Sequence, residues 1–330
     1  MNTIFNTPVL LVSFISLNHF FKNKKQIKLY NCKSVVLPMF PLVFWKLNKI
    51  TFFLFLLFFK AENVISRNIF ASFISIKLRN IFKYNTIYDG RGIAFAEAEE
   101  YYVYPDIIKN NIRKIEKYVL KKSDKVIAIT SEMFEVWKRY LDVDPKVKII
   151  IPCTIGSAFE LPLSSNIYNR GYFGFNKNDI IIVYSGSLAK WQSLDLLFNT
   201  FLEYKKSNKA IKLLLLCRNN DEIKIFLNSY PEVKNIFVAP EHVKNILSFC
   251  DYGALIREKS ITNNVSSPTK FGEYLSCGLQ IITNENISIS KFVLKHQLGI
   301  VLPNYNISYK LSKPNSTQRL KAKKIAKKFF

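Results

Sequence analysis

The stretch Ser266-Ser267-Pro268-Thr269-Lys270-Phe271-Gly272-Glu273-Tyr274-Leu275-Ser276-Cys277-Gly278 decides how this chain is read. Ser267 is a good helix cap, and Pro268 fits the first helical position, where a missing N–H costs nothing. Gly278 ends the helix. Its positive end opens behind two serines, and a helix end with free N–H groups attracts anions. Thr269 and Glu273 are four apart and share one face. Lys270 brings a cation to the first turn, where the helix dipole alone favours an acid; a bound polyanion gives that placement a reason. Glu273, one turn deeper, is spaced to accept two sugar hydroxyls. Phosphate at the tip and ribose one turn down is the outline of a nucleotide. The same residues also suit a capped amphipathic helix with a solvated lysine and glutamate, and local chemistry leaves both readings open.

Outward from this stretch, strand and helix patterns alternate. Residues 179–184 read as a buried strand, followed by Ser185-Gly186-Ser187-Leu188-Ala189-Lys190-Trp191-Gln192. A helix over 193–204 and a strand over 211–217, ending at Arg218, come next. A strand at 235–238, a helix at 242–249 and strands at 253–256 and 280–283 complete the set. Such alternation implies a parallel sheet covered on both faces. Gly186 lets backbone approach a phosphate, and Lys190 four residues on supplies a neutralising charge. Arg218 stands at a strand's carboxyl end. A doubly wound sheet gathers these loops, with Lys270, on one edge.

The first half carries the same signature more faintly. Strands are expected at 62–65, 85–88, 125–129 and 146–151, and helices at 68–82, 97–121 and 131–140. The second strand runs into Asp89-Gly90-Arg91-Gly92, where Arg91 suits a phosphate or an acceptor sugar, or else an ion pair with Asp89 or Glu97. Residues 7–21 read as an apolar helix and make a poor secretory signal: no cation precedes them and no small-residue cleavage site follows. The most apolar run, Ile50 to Phe59, is ten residues long. Crossing a bilayer takes about 20, so a buried or membrane-lying helix is expected, core ahead of membrane. Residues 153–178 lose periodicity and gain Pro, Gly, Ser and Asn. The division expected is an N-terminal domain at 1–155, a linker at 156–178, a C-terminal domain at 179–304 and a tail with a helix at 305–330.

With 330 residues, 49% hydrophobic and 15% aromatic, the chain has material for two cored domains. Five scattered cysteines without CxxC spacing favour a reducing compartment, and three histidines in no ligand spacing argue against zinc. The formal charge of +24 points to an anionic partner or surface, although the lysines are spread rather than blocked. No motif for binding RNA or DNA accompanies it, so nucleic acid is not an expected partner.

The segments Val183-Tyr184-Ser185-Gly186-Ser187-Leu188 with Lys190-Trp191-Gln192, and Ser267-Pro268-Thr269-Lys270-Phe271-Gly272-Glu273-Tyr274 with Cys277-Gly278-Leu279, resemble retaining glycosyltransferases of the GT-B type. The resemblance is nearest to the group 1 (family 4) enzymes of bacterial surface polysaccharide assembly. It spans about residues 62–302 and is strongest over 179–283. In the first half it rests on Asp89-Gly90-Arg91-Gly92 and Ser123-Asp124-Lys125-Val126-Ile127-Ala128-Ile129-Thr130-Ser131, which look like the family's acceptor domain.

The resemblance implies an α/β fold of two Rossmann-like domains facing a cleft. The chain departs from it in showing no first strand or glycine-rich loop of the family at its start, so that either the start is truncated or the first domain is reduced. By position, Glu273 takes the ribose hydroxyls. Ser267, Thr269, Lys270, Gly186, Ser187 and Lys190 face the diphosphate, and Val238-Ala239-Pro240 borders the base. The last helix crosses back to the first domain. Where the family often has a second glutamate, eight positions before Glu273, this chain has Val265.

The implied reaction is a retaining transfer from a nucleoside-diphosphate sugar to a glycan or lipid-linked acceptor near Arg91. No Asp-x-Asp is placed as a metal clamp and no cofactor is expected, so Lys190, Lys270 and Arg218 supply the charge. The expected setting is cytoplasmic, with peripheral attachment to the anionic inner face of a membrane. The competing reading is a degenerate homologue that binds nucleotide or a partner without catalysis. An epimerase shares the architecture, but its acid/base groups are not found.

Overall fold

The computed structural model describes residues 9–16, 20–21, 33–156, 159, 167–303 and 310–330. Two compact units result, one of residues 1–128 and 134–149, the other of 129–133 and 150–330.

The first unit opens on two strands, β1 (Leu11–Ser16) and β2 (Ser34–Met39), which pair in parallel with each other. Residues 7–21 were expected to be helical. Within the described part, Val9, Val12 and Ile15 are β-branched and favour the extended chain, and a parallel partner satisfies the backbone. The resemblance leaves this domain short of a first strand; the chain has these two ahead of the first one expected, in a sheet of their own. A 3₁₀ segment (Leu42–Leu47) then leads into α1 (Asn48–Phe58), which holds the apolar run.

Four strands follow in sequential order: β3 (Asn63–Arg67), β4 (Asn85–Asp89), β5 (Lys125–Ala128) and β6 (Lys148–Ile150). β3–β4 and β4–β5 pair in parallel. Between β3 and β4 lies α2 (Ile69–Phe82), capped by Asn68, whose side-chain oxygen accepts from the N–H groups of Phe70 and Ala71. The long helix expected at 97–121 is two helices, α3 (Ala94–Glu100) and α4 (Asp106–Lys122). Pro105 makes the break: it has no N–H to continue α3 and stands as the N-cap of α4. α5 (Ser131–Leu141) follows β5.

The second unit holds one six-stranded sheet. Its strands are β7 (Ile180–Ser185), β8 (Ile211–Leu216), β9 (Val233–Ile236), β10 (Tyr252–Leu255), β11 (Gln280–Asn284) and β12 (Gly299–Leu302), in the spatial order β12-β11-β10-β7-β8-β9. Every pairing in it is parallel. β7 is buried throughout, with Ile181 and Val183 in one core and Ile180, Ile182 and Tyr184 in the other. That is why the strand reads as a continuous apolar run. Helices α6 (Leu194–Ser207), α7 (Asp221–Ser229), α8 (Pro240–Ser248), α9 (Ile261–Asn264), α10 (Thr269–Ser276) and α11 (Ile289–His296) make the crossovers. β9 lies two residues before the expected strand, and β12 was not foreseen. A final helix, α12 (Ser316–Phe329), carries a capping box from Asn315 and Gln318. It packs on α10 within this unit: Gly272 has no side chain to keep Phe330 and Ile155 away, and Gly278 lies against Arg319 and Lys323.

In chain order the strands read 6-5-4-1-2-3. The order reverses between β7 and β10, and in open parallel sheets ligands bind beyond the carboxyl ends of the strands at that switch point.

Candidate functional site

Two loops leave the switch point, one after β7 and one after β10. After β7 the chain turns at Gly186, whose φ is +149° and whose N–H donates to the Leu216 carbonyl. A Cβ there would stand 2.2 Å from Cε and 2.3 Å from Nζ of Lys270. Glycine is therefore required for its backbone angle, and any side chain there would also displace the end of Lys270. The chain then passes Ser187, whose carbonyl accepts the Tyr184 hydroxyl at 2.5 Å, and a 3₁₀ turn (Lys190–Gln192). Lys190 is exposed at the head of this turn, while Gln192 is buried.

α10 supplies Lys270 and is fixed to the sheet by Tyr274. The Tyr274 ring occupies the space a Cβ on Gly253 of β10 would need, and its hydroxyl accepts the Ser185 N–H at 2.9 Å. The helix start lies one residue later than expected. Pro268 is the N-cap, no side chain caps the helix, and the Ser267 hydroxyl instead accepts the Cys153 N–H at 3.4 Å. At the other end Leu279 N–H reaches the Tyr274 carbonyl and Gly278 N–H the Leu275 carbonyl, with Gly278 at φ +82°. This is the Schellman pattern that the glycine foretold.

The Lys270 ammonium donates to Gln192 Oε1 at 2.9 Å and lies 4.2 Å above the Tyr184 ring. Arg257, two residues beyond β10, donates to the same Oε1 at 3.3 Å, and also to Ser266 Oγ at 3.2 Å and Asn263 Oδ1 at 3.4 Å. It is buried, and its backbone N–H is held by Asn284 of β11. Two cations thus converge on one neutral oxygen, in a place shielded from water. Desolvation, reinforced by Arg257, pulls the Lys270 pKa down to about 7. Glu273, half-buried one turn on, is pushed above the ordinary carboxylate range by desolvation, with Lys270 pulling the other way. An arrangement of this kind stabilises an incoming anion, which restores the lysine's charge.

The remaining expected residues are more scattered. Thr269 is exposed at the head of α10. Arg218 is exposed beyond β8, its guanidinium 5.2 Å from the Phe237 ring. Next to that ring, Val238 packs against the core, and Pro240 is exposed in the first turn of α8. Arg91 belongs to the first unit, where its Nε pairs with Asp89 at 2.8 Å, the ion pair its sequence neighbourhood allowed. The turn around it is built on acids: a Cβ on Gly92 would meet Glu97 Oε1, and burial pushes Glu97 up to about 6. The buried Glu116 carboxylate takes the N–H groups of Ala94 and Phe95 and the Trp137 indole, and burial raises it to about 7. Asp142-Val143-Asp144 does spell Asp-x-Asp, but it lies at the end of α5 with Asp144 paired to Lys148.

Arg257 and Asn263 were not singled out in the sequence, and Gln192 and Ser266 stood in the quoted segments without a role of their own. Arg257 carried only a partial signal: it follows an apolar strand as Arg218 does, and the structure's strand order is what sets the two apart.

No protein-family model and no curated protein matches the chain. Solved structures do. A sucrose-phosphate synthase from Thermosynechococcus elongatus is similar with a TM-score of 0.68 at 12% identity, covering 91% of this chain and 79% of that one. HepE of Anabaena, solved in complex with UDP, is similar at 0.67 and 11% identity, covering 97% and 95%. WaaG, a glycosyltransferase involved in lipopolysaccharide biosynthesis, is similar at 0.62 and 12%, covering 97% and 90%. The fold is therefore α/β of the GT-B glycosyltransferase type.

Proposed function

We propose that the chain is a glycosyltransferase that takes its sugar from a nucleoside diphosphate held at the β7/β10 switch point. The observation carrying this reading is the convergence of Lys270 and Arg257 on Gln192 Oε1. A diphosphate displaces that shared amide contact and satisfies both cations. Glu273, one turn inward, takes the ribose hydroxyls, and the loop at Val238 and Pro240 borders the base. Bound UDP and UDP-glucose in the HepE structures support the ligand class. Leaving-group charge is stabilised by Lys270, Arg257 and the uncapped start of α10, with Lys190 and Arg218 reaching in from exposed loops. Removing one such donor typically costs about 100-fold or more in rate.

The finer reading is a retaining, metal-independent hexosyl transfer to a lipid-linked glycan of surface polysaccharide assembly. In it the acceptor lies over the Asp89–Gly92 turn, and the enzyme works peripherally on a cytoplasmic membrane face. Among the described residues no helix is long and apolar enough to cross a membrane. The test is thermal melting with UDP, GDP and their sugars, followed by turnover with the nucleotide that binds. One nucleotide should raise the melting temperature, and Lys270→Ala should abolish the rise. No rise with any nucleotide defeats the reading.

A second reading keeps the nucleotide and drops the chemistry. Val265 favours it, since it is 1% exposed and apolar where the resembled family often has a glutamate. Binding without turnover over a panel of acceptors establishes that reading, and turnover removes it.

A further inference from the structure

We propose that the first unit docks on an anionic lipid surface through the outer face of α1 and the 3₁₀ segment before it. From Phe52 to its end α1 is apolar on every side, as a fully buried helix would be. Among the described residues only one side of it is covered. Phe52, Phe55 and Leu56 are buried, and Phe53 meets Phe82 of α2 edge-on. Leu47, Ile50, Leu54 and Leu57 recur at spacings of three and four, so they form one stripe along the opposite face. All four are exposed, Leu54 at 52%, and Phe58 beside them is 82% exposed. Val43 and Phe44 extend the apolar surface backwards. A contiguous exposed patch of this kind marks an interaction surface.

Charge selects the occupant. Between Pro41 and Lys60 there is no acidic residue, and Lys46, Lys49 and Lys60 are all exposed. Lys46 and Lys49 each precede a stripe residue by one, so both border the stripe on the same side. A second copy of this chain, with its own formal charge of +24, meets that border with like charge. Anionic headgroups meet it with opposite charge while the acyl region takes the leucines. At about 1.5 Å per residue, α1 is about 16 Å long, half of a bilayer's hydrocarbon thickness, so it lies in the interface rather than across it. The purpose of such docking rests on the lipid-linked acceptor proposed above; its measurement does not.

The test is co-sedimentation of the full chain with vesicles of equal parts phosphatidylglycerol and phosphatidylcholine, and with pure phosphatidylcholine. Binding is expected to the anionic vesicles only, and to weaken as salt is raised. Leu54→Glu with Phe58→Glu should lower the apparent affinity at least about tenfold. Lys46→Gln with Lys49→Gln should lower it about fivefold per lysine and flatten the salt dependence. An unchanged melting temperature shows that each variant is folded, and the lysine variant stands by itself if the other is not. Absent wild-type binding, or undiminished binding by either folded variant, overturns the proposal. So does a wild-type dimer that the Leu54/Phe58 variant breaks. Vesicle binding by a chain that no nucleotide stabilises would sink the transferase reading and leave the docking intact. Nucleotide binding without vesicle binding does the reverse.

Discussion

Lys270 is poised between two charge states because burial strips it of water and Arg257 repels it, while Glu273 pulls the other way. With its pKa lowered to about 7 in the free protein, it is largely neutral above that pH and charged below it. A bound diphosphate favours the charged form and raises the pKa again. Nucleotide affinity should then fall as pH rises through about 7, and binding near pH 8 should take up protons. Calorimetry in two buffers of different ionisation enthalpy reads that uptake directly; heats independent of buffer would contradict it. The stability sign is opposite. The unfolded chain keeps this lysine protonated up to about pH 10, so between about 7 and 10 it binds more protons than the native state, and Lys270's contribution to stability rises with pH.

Gly186→Ala tests the same contact from the other side. At φ +149° a side chain is strained, and its Cβ would push Lys270 off Gln192. Strain of this kind costs about 1–3 kcal/mol. The variant should melt earlier and bind nucleotide at least about tenfold more weakly. Wild-type affinity in that variant would show that the lysine's resting position is irrelevant to binding.

At the scale of elements, sequence and structure part company where partners are distant. β7 and β8 were readable because strands buried on both faces must be apolar throughout. α10 was readable from local punctuation, Gly278 at its end, and the Asn68 cap of α2 falls where the helix was expected to begin. The start of α10 slipped because Ser267 spends its hydroxyl on Cys153, 114 positions away, and no local rule sees that. The break at Pro105 is written in the sequence itself, since a proline disfavours a helix running on through it, whereas the expected helix at 97–121 follows only the charged periodicity on either side. Arg257 was missed because its value comes from strand order: Arg218 and Arg257 look alike in sequence, yet β8 lies away from the switch point and β10 borders it. Gln192 joins Arg257 from 65 positions off.

The seat of α10 gives this scale its own prediction. Tyr274→Phe keeps the ring over Gly253 and removes the acceptor of the buried Ser185 N–H. Leaving that donor unpaired should cost about 1–3 kcal/mol. Because Ser185 adjoins Gly186, the nucleotide-induced shift in melting temperature should shrink as well. A variant that melts like wild type would show that packing alone seats the helix.

At the scale of the molecule, one fully buried carboxylate ties the second unit together across its length. Asp251 accepts Arg170 Nη2 at 2.7 Å from the segment before β7, Arg319 Nη2 at 2.6 Å from α12, and the Ile181 N–H at 2.9 Å from β7 itself. Both arginines also hold backbone carbonyls, Arg170 that of Phe249 and Arg319 that of Cys250. The first approach to the sheet and the final helix therefore meet on one side chain that water cannot reach. In a chain with this excess of cations, a buried acid between two of them does more than balance charge: without it, two guanidinium groups are left together in a place of low dielectric. Removing one partner of such a cluster costs about 3–5 kcal/mol, whereas the intact cluster is worth little more than a well-packed apolar substitute. Asp251→Ala should lower the melting temperature by about 10 °C, conversion being a few degrees per kcal/mol at this size. Adding Arg170→Met and Arg319→Met should recover a large part of that loss, because the stranded charges go with the arginines. A triple variant no more stable than Asp251→Ala would mean that the arginines hold the unit through their carbonyl contacts, and that Asp251 is incidental to them.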